Sequence, residues 1–158
     1  MHLVTGTSLR HSLPFFHEAE AQARQSTCFK SQRGAVLVKE GKILATGWNR
    51  PPAGVKDTEE NCSTICRQYT VHAEQVALLS ALKAGHDVTD AIMVHVKVKD
   101  GVEQTVSGPS CGECHRLALE AGIGGWLLHC DDGWTFYTAQ EAYDMANEAL
   151  RQQLSHTI

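Results

Sequence analysis

Apolar positions recur along the chain in two rhythms. Between residues 13 and 25, Leu13, Phe15, Phe16, Ala19 and Ala23 alternate with Glu and Gln at helical spacing, which predicts an amphipathic helix with Pro14 in its first turn. Residues 34–39 (GAVLVK) and 42–48 (KILATGW) are apolar runs split by Glu40-Gly41, the signature of a β-hairpin. Residues 71–84 carry Val71, Val76, Leu79 and Leu82 on one helical face and stop at Gly85. A strand is predicted over 91–98 (AIMVHVKV), with a turn at Lys99-Asp100-Gly101 and Lys99–Ser107 long enough for a hairpin. A helix follows over 111–121, stopped by Gly122, then a strand over 125–130 (GWLLHC). The last helix starts at Thr138, where Thr138-x-x-Glu141 forms a capping box, and runs to about Gln153.

The order α-β-β-α-β-α-β-α predicts an α/β fold, a three-layer α/β/α sandwich with helices on both faces of a mixed sheet. Strands joined through helices should be parallel, and the first pair antiparallel. Nothing along the chain reads as an interdomain linker, so residues 1–158 are expected to form one domain.

Composition narrows the function classes. The 158 residues carry 14 Lys+Arg against 18 Asp+Glu, a net charge of -4, and are 42% apolar. This is a globular balance. It lacks the basic excess of proteins that grip nucleic-acid backbones. No apolar run is long enough to span a bilayer, and the first residues do not read as a signal peptide, so a cytoplasmic protein is expected. The unusual figures are 6 Cys and 9 His. In a chain large enough to fold without disulfides, such residues more often bind metal or do chemistry.

Two stretches concentrate that chemistry: His72-Ala73-Glu74 and Cys111-Gly112-Glu113-Cys114, each at the start of a predicted helix. Cysteines at i and i+3 share a helix face, and a helix N-terminus favours the thiolate that a metal requires. Two thiolates and one imidazole make three protein ligands and leave a fourth tetrahedral position for water, the pattern of a catalytic zinc site. Glu74, beside such water, is placed to act as general acid and base.

His-x-Glu followed by Cys-x-x-Cys resembles the cytidine deaminase-like superfamily. The resemblance extends upstream through Ser26-Thr27-Cys28, Gly34-Ala35-Val36, Gly47-Trp48-Asn49, the Pro51–Gly54 loop and Cys62, and it is similar to the deoxycytidylate deaminase branch over roughly residues 15–130. It implies a five-stranded sheet between helices, a zinc cofactor held by His72, Cys111 and Cys114, and Glu74 as the catalytic acid/base. It further implies hydrolytic loss of ammonia from a cytosine-type ring, with Asn49, Ala73 and Ser110 against the substrate. Ser110 departs from the usual pattern by standing between Pro109 and Cys111. The substrate is expected to be a small nucleobase, nucleoside or nucleotide, dCMP, CMP or cytidine first, with another free base or amino-heterocycle as the alternative. Gly47–Pro51 also looks like tRNA adenosine deaminases, which the net charge disfavours. A zinc-stabilised binding module without catalysis is the non-enzymatic alternative, which Glu74 argues against. Relatives pair subunits around the active site, so a homo-oligomer is implied.

The remaining residues stay open. Cys28, Cys62 and Cys66 read either as a second, structural zinc site, which some deoxycytidylate deaminases carry near equivalent positions, or as buried thiols. Cys130 reads as core. Arg50, Lys56, Arg67, His115 and Arg116 are candidates for a substrate phosphate or for plain surface charge. Trp126, Trp134, Phe136 and Tyr137 read as core or interface aromatics before pocket ones. His95, His86, His129 and His2 have no metal-type partner in sequence.

Overall fold

The computed structural model describes residues 1–155. Strand β1 (His2–Leu3) leads into helix α1 (Gly6–Ala23), and β2 (Gln32–Lys39) and β3 (Lys42–Trp48) form the expected hairpin. Its two-residue turn has Glu40 at φ 50° and Gly41 at φ 73°, the paired left-handed geometry that matches strand twist. Two short helices, α2 (Glu59–Thr64) and α3 (Cys66–Tyr69), precede α4 (Ala73–Lys83). Then come β4 (Ile92–Lys99), β5 (Val102–Gln104), α5 (Gly112–Glu120), β6 (Gly125–Cys130), β7 (Gly133–Thr138) and α6 (Ala139–Ser155).

The sheet has seven strands rather than five. Five long strands run in the order β7-β6-β4-β2-β3, β1 adds to the β7 edge, and β5 folds back on the end of β4 beyond the reach of β6. β4 and β6, joined through α5, are parallel, whereas β2 is antiparallel to both its neighbours. β7 is not predicted from the sequence, because its short run of Trp134, Phe136 and Tyr137 reads equally as core or interface aromatics on a loop. The β6–β7 hairpin places Tyr137 in the core on one sheet face and Phe136 against the other.

Alternate residues of β2 divide the core. Ala35 and Leu37 face α4, α5 and α6, while Val36 and Val38 face Phe16, Ala19 and Ala23 of α1. Helices therefore cover both faces, α1 alone on one. Pro14 lies inside α1 and not in its first turn, because the helix already begins at Gly6. The preceding turns are mostly polar and exposed, so no apolar stripe marks them in the sequence. At two positions the helices sit so close that only glycine fits. A Cβ on Gly34 would meet Ala19 O at 1.9 Å, and one on Gly47 would meet Ala73 O at 2.5 Å. The second contact seats the start of α4, and the site it carries, on β3.

Candidate active site

Residues 72–74 and 111–114 lie at the N-termini of α4 and α5. The reason is local. Gln75 Oε1 accepts from the backbone N–H of His72 at 3.0 Å, capping α4 from its third residue. The His72 ring is left to point elsewhere, and its Nδ1 lies 3.2 Å from Sγ of both Cys111 and Cys114. Cys111 caps α5, its Sγ accepting from the Cys114 backbone N–H at 3.4 Å, and the two sulfurs are 3.0 Å apart. The three donor atoms all fall within 4.8 Å of one another, and among the described residues they form the one such group.

The donors act on one another. The Cys114 thiol, hydrogen-bonded beside it, outweighs burial and with His72 holds the Cys111 thiol down to about 5. The same contact and burial push Cys114 up. The contact with Cys111 raises the His72 imidazole against the opposing effect of burial. Two soft sulfurs and one imidazole nitrogen converging on a point fit zinc, with one tetrahedral position left over.

Glu74 is buried, only 9% exposed, on the inner side of the α4 N-terminus. Burial pushes its carboxyl up, but the neighbouring His95, its own backbone N–H and His72 outweigh that and leave it below its usual value. The His95 Nε2 lies 3.6 Å from its Oε1. In sequence His95 alternates with Lys97 as a polar position of the strand run, and nothing there marks it as facing a carboxylate.

Other expected residues are placed as follows. Ala73 is fully buried at the head of α4, and Ser110 is exposed at the rim. Asn49 is buried, but its Oδ1 accepts from Arg33 N at 2.7 Å and its Nδ2 donates to Ser31 O at 3.0 Å. One lone pair and one N–H of the amide remain for a ligand. Cys28 and Cys62 come together with sulfurs 3.6 Å apart, whereas Cys66 lies 3.7 Å from Thr70 Oγ1. Among the described residues the donor atoms that all fall within 4.8 Å of one another are those of the ligand triad and do not include these three sulfurs. Cys130 is core, within 3.4 Å of the Tyr137 hydroxyl. His115 is buried edge-on against Trp126 and is not available to a phosphate, while Arg116 is exposed. The side chain of Arg67 lies outside the described residues.

A groove of about 660 Å³ runs between residues 27–29 and 48–57, lined by Phe29, Trp48, Arg50, Pro52, Lys56 and Asp57 among others. It contains none of the metal-binding residues. Its wall is tied to them by the Arg50–Val71 bridge, whose backbone hydrogen bonds of 3.1 and 2.8 Å bring the groove beside the residue that precedes His72. Arg50 also lies over the Trp48 ring at 6.0 Å. A second groove, lined by Tyr143, Met145 and Arg151 of α6, shares no residue with the site.

Residues 10–130 match the model of the cytidine and deoxycytidylate deaminase zinc-binding region. The chain belongs to the cytidine and deoxycytidylate deaminase family. Within that family it is 30% identical over 142 residues to ComE operon protein 2 of Bacillus subtilis (strain 168), covering 87% of this chain and 68% of that protein. It is 31% identical over 123 residues to the deoxycytidylate deaminase of Mycobacterium phage D29, covering 69% of this chain and 86% of the phage protein. Among solved structures, the apo dCMP deaminase of cyanophage S-TIM5 superposes with a TM-score of 0.64 at 21% identity, over 92% of this chain and 94% of that one. The cytidine deaminase of Burkholderia pseudomallei superposes with a TM-score of 0.58 at 22% identity, over 82% and 94%. The shared fold is cytidine deaminase-like. As a member of this deaminase family the protein is a zinc-dependent hydrolase of carbon–nitrogen bonds, with His72, Cys111 and Cys114 placed to hold the metal.

Proposed function

We propose that the protein hydrolyses the exocyclic amine of a cytosine nucleotide, dCMP or CMP, to the uracil form and ammonia, with Glu74 as its catalytic acid and base. The observation that carries the reading is a buried carboxylate two residues from an imidazole that converges with two cysteine sulfurs. Zinc, when bound by His72, Cys111 and Cys114, lowers the pKa of a ligated water toward about 7. Glu74 accepts one proton of the attacking water as the water oxygen bonds to the amine-bearing ring carbon, and delivers it to the adjacent ring nitrogen. It then takes the remaining hydroxyl proton and passes it to the exocyclic amine, so that ammonia leaves as the carbon–nitrogen bond breaks and the carbon–oxygen bond becomes the carbonyl. The closely packed head of α4 supplies the free backbone N–H of Ala73 to the ring, and Ser110 at the rim and the remaining valences of Asn49 face the rest of the substrate.

Nucleotide preference is supported by the neighbouring groove, where Trp48 and Phe29 offer apolar rings and Arg50 and Lys56 offer cations, and by similarity to proteins named as deoxycytidylate deaminases. The net charge of -4 favours a small substrate over a nucleic-acid strand. Exposed Leu79 and Leu82 on α4 and Leu117 on α5 support the reading of a homo-oligomer. Six free cysteines fit a reducing cytoplasm. No helix among the described residues is long and apolar enough to cross a membrane.

Ammonia release measured over dCMP, CMP, cytidine, deoxycytidine and cytosine tests the proposal. Turnover is expected, with the nucleotides preferred. Glu74→Gln is expected to keep its zinc and lose about 10²–10⁴-fold in kcat. Undiminished turnover in that variant would overturn the role of Glu74.

A further inference from the structure

His95 stands where the fold calls for an apolar residue. It lies on β4, the central strand of the sheet, with Ala35 directly opposite on β2 and Leu128 opposite on β6. Both neighbours belong to the core under α4, as does Met93 two residues earlier on the same face. An imidazole is 7% exposed in this floor. Burying a polar ring among such side chains is unfavourable unless it meets a partner. Among the described residues the acidic group it meets is Glu74, whose Oε1 lies 3.6 Å from Nε2, slightly beyond a closed hydrogen bond.

Resting on the deaminase reading, we propose that His95 is a positioning residue that holds the Glu74 carboxylate in its proton-transfer orientation through an Nε2–H donated from the sheet floor. Glu74 is the second residue of α4, buried within its first turn. A general acid/base works only when its oxygen stays within hydrogen-bonding reach of both the water and the ring nitrogen. A donor behind the carboxylate fixes one oxygen and leaves the other to face the substrate. Valine or leucine at this position would fill the floor without orienting anything.

Two variants separate positioning from packing. His95→Val suits a β-strand and the apolar floor but removes the donor. His95→Gln returns a side-chain N–H near the position of Nε2. Zinc per chain, thermal melting, kcat and KM on the best cytosine substrate, and crystal structures of both variants are measured. His95→Val is expected to keep its zinc and fold and its KM within about twofold, while kcat falls about 10- to 100-fold. His95→Gln is expected to recover most of the lost kcat, and the Glu74 carboxylate is expected to be displaced in the valine variant and restored in the glutamine one. The inference is overturned if His95→Val retains wild-type kcat, if its loss accompanies loss of zinc or folding, or if glutamine does no better than valine. A wild-type protein silent on every cytosine substrate would instead overturn the deaminase reading, and the inference with it.

Discussion

Asn49 uses both ends of its amide to hold residues 31–33, and this bears on how any variant of it is read. Sequence resemblance casts it as a substrate contact, while the structure shows two hydrogen bonds to the Arg33 N–H and the Ser31 carbonyl. Truncation orphans both groups. Asn49→Ala is therefore expected to lower stability by about 1–3 kcal/mol in urea unfolding, whatever it does to KM. A change in KM with no change in the unfolding midpoint would mean that the amide serves only the ligand. The ligand triad was legible in the sequence because metal chemistry restricts residue type and spacing together. His95 was not, because nothing in a one-dimensional pattern distinguishes a histidine aimed at a carboxylate from one satisfied by the core. That distinction depends on strand register, which brings position 95 beneath position 74 only once β4 lies in the sheet centre.

At the scale of elements, the contact between β3 and α4 governs the site. Gly47 admits the backbone of α4 so closely that an added Cβ would fall 2.5 Å from Ala73 O and 2.7 Å from Ala77 N, neither of which can swing away as a side chain would. Gly47→Ala must move the helix head that carries His72 and Glu74. Both melting temperature and kcat are expected to fall, kcat by at least about tenfold, because reacting groups tolerate little displacement; activity assays beside thermal melting check this. The elements that amphipathic pattern or turn chemistry marks, such as the β2–β3 hairpin and the Thr138 cap of α6, where Glu141 N donates to Thr138 Oγ1 at 3.2 Å, were readable in advance. The first turns of α1 and the whole of β7 were not. The former are polar and largely exposed, and the latter is a six-residue run of aromatics and threonines that suits a packed loop as well until pairing with β6 and β1 fixes it as a strand.

For the whole molecule, the metal-binding residues connect parts of the chain that the sheet alone leaves apart. His72 follows the β2–β3 half, Cys111 and Cys114 follow β4 and β5, and the two helix N-termini meet at one end of the sheet. A metal shared between them is a cross-link that the unfolded chain cannot offer in the same geometry. Removing zinc with a chelator is expected to lower the melting temperature by on the order of 5–10 °C, with far-ultraviolet circular dichroism little changed, and added zinc is expected to restore it. An unchanged melting curve would mean that packing alone holds α4 and α5 in place.

The bridge between Arg50 and Val71 has a consequence of another kind. It pins both ends of the excursion from residue 51 to residue 70 with backbone hydrogen bonds that do not depend on which side chains lie between. Everything in that excursion, the groove wall, α2 and α3 included, is thereby a cassette clipped to the rim of a fixed frame. Its length and chemistry are free to diverge, or to be exchanged by design, while the register of Val71, and with it the aim of His72, stays the same.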